Sequence, residues 1–242
     1  MKGAILIIGS LLWDPDQNDK LGSRKAWRDK RLIIKDKIHV KVPIRYGRLS
    51  GKEGKKNYTM VFSKECETEN LFGTAYLVPL KNKNIRTLKG IENQARFLSK
   101  AEGSKDNKLC KENMKKWGTI GIMINPKIEE NRKNEISEWW KELVEKDGGL
   151  LDYGEYKVGD EKSVLSDKGE VLISWPQTID ETKQVIVNEF DFILATCTKP
   201  ELEEYPNTDD LHEKILTDER KYFYLNIKNG ITTFQDRNIL ES

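Results

Sequence analysis

The sequence predicts an α+β protein: a mixed, largely closed, barrel-like β-sheet with packed helices, followed by a C-terminal α/β extension. Three observations point there. Short apolar runs, continuous or alternating, recur through the first 125 residues. Two segments, 82–101 and 132–147, switch to the three-to-four spacing of a helix. After Gly148-Gly149 the pattern loses regularity, which divides the chain into a core, 1–149, and an extension, 150–242, packed on it.

The elements follow in chain order. Residues 4–9 form a β-branched run bounded by Gly9-Ser10, a buried strand rather than a signal peptide, since no small-residue cleavage site follows. Residues 14–25 are polar and rich in turn formers. Ile38, Val40 and Val42 alternate before Pro43, and the basic run Arg45-Tyr46-Gly47-Arg48 follows. Strands at 58–63 and 72–78 flank the expected sheet, with a basic loop over 50–57. In 82–101, Ile85, Leu88, Ile91, Ala95 and Leu98 make one apolar face. Gly90 weakens that helix by about 1 kcal/mol relative to alanine. Strand 117–124 ends at Asn125-Pro126. Helix 132–147 carries Ile136, Trp139, Trp140, Leu143 and Val144 on one stripe. The extension contributes strands at 171–175 and 190–197 and a short helix over 208–217. Asn229-Gly230, between 222–227 and 231–234, signals a hairpin.

Composition narrows the function. The chain has 242 residues, enough to bury ~70–75% of the surface its unfolded form exposes. Its 42 Lys and Arg nearly balance 40 Asp and Glu, which excludes a strongly cationic nucleic-acid binder and makes nucleic acid an unlikely partner. Cys66, Cys110 and Cys197 resemble neither a disulfide framework nor a zinc ligand set, and only two histidines exist. No stretch reaches the ~18 apolar residues of a membrane span. A cytoplasmic protein with no membrane partner is expected.

Two features carry chemistry. The turn Ile8-Gly9-Ser10-Leu11-Leu12 exposes backbone N–H groups at the carboxyl end of a buried strand, where they can hold a carboxylate or phosphate. The same turn also reads as an ordinary strand terminus. Glu92 falls within the apolar arc of helix 82–101. An unpaired buried carboxylate there has a raised pKa and suits a general base. The alternative is a glutamate at the edge of the stripe, paired with Arg96 one turn on. Arg45, Tyr46 and Arg48 are candidates for binding a substrate carboxylate, or a solvated basic loop. Trp139-Trp140 and Cys197 read as core, and His212 as a surface residue.

The stretch Ile7-Ile8-Gly9-Ser10-Leu11-Leu12-Trp13-Asp14-Pro15 resembles the first strand and substrate loop of the gamma-glutamylcyclotransferase-like family. That family usually reads Tyr-Gly-Ser-Leu or Tyr-Gly-Ser-Asn there, with tyrosine where this chain has Ile8. Pro43-Ile44-Arg45-Tyr46-Gly47 and Gly73-Thr74-Ala75-Tyr76 are also similar to it. A leucine stands four residues before the family's catalytic glutamate, as Leu88 stands before Glu92. The family's usual Glu-Gly pair is Glu92-Asn93 here. The resemblance covers residues 1–125.

It implies a cofactor-independent, metal-independent cyclotransferase that releases 5-oxoproline from a γ-glutamyl amine or peptide. Gly9, Ser10, Leu11 and Leu12, with Arg45 and Tyr46, would bind the substrate. Glu92 would take a proton from the α-amine as it attacks the γ-carbonyl, then return it to the leaving amine. The different-class alternative is a catalytically silent module on the same fold. It would bind a small acidic metabolite in the same cavity, or engage a protein partner or a second copy through residues 150–242.

Overall fold

The computed structural model describes residues 1–15, 24–52, 55–104, 108–109, 118–147, 155–219 and 221–240. β1 (Gly3–Ile7) runs into a 3-10 turn, Ser10–Leu12, and α1 (Arg24–Arg31) follows. β2 (Ile38–Val42), β3 (Ile44–Lys52) and β4 (Lys55–Phe62) lead through α2 (Lys64–Thr68) to β5 (Gly73–Pro79). α3 (Leu88–Ala101), β6 (Gly118–Ile124) and α4 (Glu130–Lys146) come next. The remainder holds β7 (Gln177–Thr178), α5 (Gln184–Asn188), β8 (Phe192–Thr198), α6 (Thr208–Leu216), α7 (Tyr222–Lys228) and α8 (Gln235–Leu240).

Six strands form one mixed sheet in the order β6-β8-β1-β5-β2-β7. β1 and β8 run parallel, and the other pairs are antiparallel. The α+β class and the mixed sheet are therefore as expected, but the sheet is open. Among the described residues β6 and β7 are its two ends, and no barrel closes. The expected strand 58–63 lies in β4, which pairs with β3 in a separate hairpin. Pro43 has no N–H to donate, so β2 stops at Val42 and the chain leaves the sheet to cover its face.

Each face of the sheet has its own core. Ile5 and Ile7 of β1 pack with Ile91, Ala95 and Leu98 of α3 and Ile136 and Trp140 of α4. Ala4 and Leu6 face the other way, toward Tyr46, Met60 and Phe62 of the hairpin. β1 is buried on both faces, which explains its continuous apolar run. Full burial of each such Leu or Ile is worth about 1.5–3 kcal/mol.

Residues 150–242 are not an addition to a finished core. β8 lies between β6 and β1, in register Gly3 with Phe192 through Leu6 with Ala195, so the boundary at 149 separates nothing structurally. The expected hairpin over 222–234 is also absent. Residues 222–228 are helical, and Asn229 is the residue that caps them. Gly230, at φ +76°, then turns the chain away, the role of a glycine after a helix. The expected strand 171–175 amounts to a single bridge between Leu165 and Val171. Cys110, Trp117 and the Gly148-Gly149 stop lie outside the described residues. No helix among the described residues is long and apolar enough to cross a membrane.

Candidate functional site

The apolar run of β1 ends at Ile7, and Gly9 starts the 3-10 turn, with Leu12 N–H donating to Gly9 O at 3.1 Å. The N–H groups of Ser10 and Leu11 precede that first bond, as at any helix start. Two arginines of α1 clamp the turn from outside. Arg28, 7% exposed, donates to Leu11 O at 2.7 Å and Asp14 O at 2.9 Å. Burial lowers its pKa, as an enclosed guanidinium requires. Arg24 donates to Ser10 Oγ and Asp14 Oδ2, each at 3.0 Å, and through its other nitrogen to Glu102 Oε2 at 3.1 Å.

A cavity of about 500 Å³ opens at this carboxyl end of β1. Gly9, Ser10 and Leu11 line it, as do Arg24, Glu102 and Tyr222. Its other wall comes from the β3–β4 hairpin and the end of β8, with Arg48, Lys56, Thr59, Thr196, Thr198 and Glu201. Arg48 is buried and donates to Lys199 O at 2.9 Å while pairing with Glu201 at 2.9 Å. Burial lowers its pKa against the raising pull of Glu201. The buried hydroxyl of Thr196 has no hydrogen-bond partner among the described residues. Arg24, Arg48 and Lys56 thus share the lining with Glu102 and Glu201, beside the apolar Leu6, Ile7 and Ile8, an arrangement suited to a small zwitterion.

The structure brings together Gly9, Ser10 and Leu11 and leaves the other expected residues outside. Leu12 is half-buried and packs into both cores. Arg45 pairs with Glu65, and its guanidinium lies 3.7 Å from the Tyr205 ring centre. Tyr46 is buried with its hydroxyl donating to Asp236 at 2.8 Å. The β-bulge between Tyr46 and Arg48 carries Arg48, not Arg45, to the cavity.

Glu92 is the main correction. It is buried, as its place on the apolar arc required, but it is not unpaired and does not line the cavity. Lys89 Nζ reaches its Oε1 at 2.6 Å and Arg96 Nε at 2.8 Å. Burial by itself would raise the carboxyl. The hydrogen bonds from Lys89 and Arg96 outweigh it and hold Glu92 below its ordinary value, the opposite of a poised base. Arg96 also grips Asp147 through two bonds, and Asp147 Oδ2 accepts from Leu109 N–H, so this cluster ties α3 to the end of α4.

The carboxylate that α3 does bring to the cavity, across from Glu201, is Glu102, about 15 Å further along the helix axis at 1.5 Å per residue. It caps the carboxyl end of the helix, where the helix dipole opposes a negative charge and the Arg24 pair compensates. A signal for it existed in the chain. Leu98 stands four residues before Glu102, and Gly103 follows, which reproduces both the leucine spacing and the Glu-Gly pair that Glu92-Asn93 lacks. Gly103 adopts φ +91°, a conformation that favours glycine.

Among the described residues, no three His, Cys, Asp or Glu side chains gather as metal ligands would. No family model matches this chain, and no curated protein or solved structure matches it.

Proposed function

We propose that this chain has a gamma-glutamylcyclotransferase-like fold and acts in the cytoplasm as a cofactor-independent cyclotransferase. It would release 5-oxoproline from a γ-glutamyl amine or peptide, with Glu102 rather than Glu92 moving the proton. One observation carries the reading: Arg24 bridges Ser10 Oγ and Glu102 Oε2, so the carboxylate and the Gly9–Leu11 turn share one cavity. The α-carboxylate of the substrate would sit at the turn and draw Arg24 toward itself, releasing Glu102. The α-amine, losing its proton to Glu102, would form a bond to the γ-carbonyl carbon. The bond from that carbon to the leaving amine would then break as Glu102 returns the proton. Ring closure is intramolecular, so orientation supplies much of the acceleration.

The test is a panel of γ-glutamyl amines and γ-glutamyl peptides assayed for 5-oxoproline. Release from at least one of them supports the reading; none from any of them removes it. The Arg24–Glu102 ion pair favours a second reading, binding without turnover, because Arg24 already occupies Glu102 Oε2 at 3.1 Å. Saturable binding of the same compounds with no 5-oxoproline would select that second reading.

A further inference from the structure

We propose that Tyr222, carried to the cavity by α7, is a positioning residue whose hydroxyl donates a hydrogen bond to the α-carboxylate of a ligand held at Gly9–Leu11. This rests on the reading above that the cavity takes a γ-glutamyl group. The residue before Gly9 is Ile8, which lines the cavity and offers no polar group. The hydroxyl beside the turn comes instead from the far end of the chain. A Cβ on Gly9 would lie 3.0 Å from the Tyr222 hydroxyl oxygen, so a side chain at position 9 would crowd the phenol away from the turn. The absence of a side chain at Gly9 and the place of Tyr222 thus form one feature.

The ring is held on several sides. Lys221, a non-glycine residue at φ +54°, turns the chain so that α7 begins with Tyr222 against the cavity. A left-handed residue of this kind is strained and persists where its surroundings hold it. Asn226 follows one helical turn later and is fully buried, and its Oδ1 accepts from Trp13 Nε1 at 2.8 Å. Trp13 in turn lies against the Tyr222 ring, with centroids 6.2 Å apart, and Phe223 meets that ring edge-on at 6.1 Å. These contacts bind α7 to the very turn that forms the cradle.

The phenol is also chemically prepared to donate. Burial pushes Tyr222 up to about 12, so it keeps its proton through the physiological range. The Asn226 side chain and the Met60 backbone act the other way, by less than burial raises it.

L-Glutamate tests this on the full chain, since it carries the same α-carboxylate and α-ammonium as a γ-glutamyl group. Calorimetric titration of Tyr222→Phe is expected to show affinity roughly tenfold to a hundredfold below wild type, the value of one hydrogen bond to a charged group. The near-UV tyrosine difference signal on adding L-glutamate should appear in wild type and vanish in Tyr222→Phe. Gly9→Ala, which keeps the tyrosine but crowds its hydroxyl, should also weaken binding, and it serves if Tyr222→Phe does not fold. Equal affinity in wild type and these variants would overturn the assignment, as would no binding of L-glutamate to wild type. Release of 5-oxoproline from the same panel of γ-glutamyl amines and peptides is measured separately. No release with a Tyr222-dependent glutamate affinity would sink the cyclotransferase reading and leave Tyr222 in place. Release with a Tyr222-independent affinity would do the reverse.

Discussion

Glu92 and Glu102 sit on the same helix, and partners rather than position on the helix separate their roles. A helical arc shows that Glu92 is buried. The helical spacing also offered the Arg96 pair, which forms, but not Asp147 at the end of α4, the second fixed partner of Arg96. Replacing Glu92 by Gln should therefore cost stability, about 1–2 kcal/mol, by leaving Arg96 short of one charged acceptor. It should also change the response to acid. The folded carboxyl titrates below its ordinary value of 4.5. Between those two values the unfolded chain binds more protons, so the contribution of Glu92 is present above 4.5 and is lost as pH falls through the folded value. Melting temperatures measured from pH 7 down to pH 3 should fall more steeply for wild type than for Glu92→Gln. Parallel curves would show that the ion pair contributes nothing. The Gly9-Ser10-Leu11 part of the site was legible because glycine and serine after an apolar run mark where a strand must stop. Arg24 and Tyr222 were not, since neither shares a pattern with that turn and only the tertiary fold brings them there.

At the scale of elements, α7 shows local pattern yielding to packing. Tyr222, Phe223 and Tyr224 are strand-prone, and Asn229-Gly230 suits a hairpin turn. Helical geometry wins because it places Phe223 on Tyr46, with ring centres 4.9 Å apart, and Asn226 on Trp13. Strands β1, β2, β4, β5, β6 and β8 and helices α3, α4 and α6 were legible from apolar runs, spacing and the turns that bound them. β3 was not, since Arg45, Gly47 and Arg48 interrupt its apolar positions and Gly47 lies at its bulge. The docking of α7 has a specific dependence on Trp13. Trp13→Phe keeps the ring contact with Tyr222 but removes the donor to Asn226, whose Nδ2 already lacks a partner among the described residues. The expected cost is about 1–3 kcal/mol, with faster amide hydrogen exchange in 222–230 than elsewhere. Exchange that rises uniformly over the chain would contradict a local role for this bond.

Over the whole molecule, the sheet is discontinuous in sequence, and that decides what can fold alone. β1 is hydrogen-bonded to β5 on one side and to β8 on the other, and among the described residues β6 reaches the sheet through β8. A chain cut after residue 149 loses β8, so the edges of β1 and β6 are left unpaired, about half of the core on the hairpin face is gone, and the helix-face core loses Phe192 and Leu194. Such a fragment is expected to lack cooperative unfolding and dispersed amide resonances. A fragment that melts cooperatively would restore the boundary that periodicity suggests. The same topology explains why the extension defied reading as a separate unit. Its irregular pattern is that of segments completing surfaces built by residues far away in sequence, including the wall of the cavity supplied by Thr196, Glu201 and Tyr222.

The central claim is that the cavity at the end of β1 closes a γ-glutamyl chain on itself, with Glu102 carrying the proton. The most direct measurement is the rate of 5-oxoproline release from one γ-glutamyl peptide by wild type, Glu102→Gln and Glu92→Gln. A general acid–base residue is worth ~10²–10⁴ in turnover. The account predicts a loss of that size in Glu102→Gln and release close to wild type in folded Glu92→Gln. Release undiminished in Glu102→Gln, or lost in Glu92→Gln at a temperature where that variant remains folded, would contradict it.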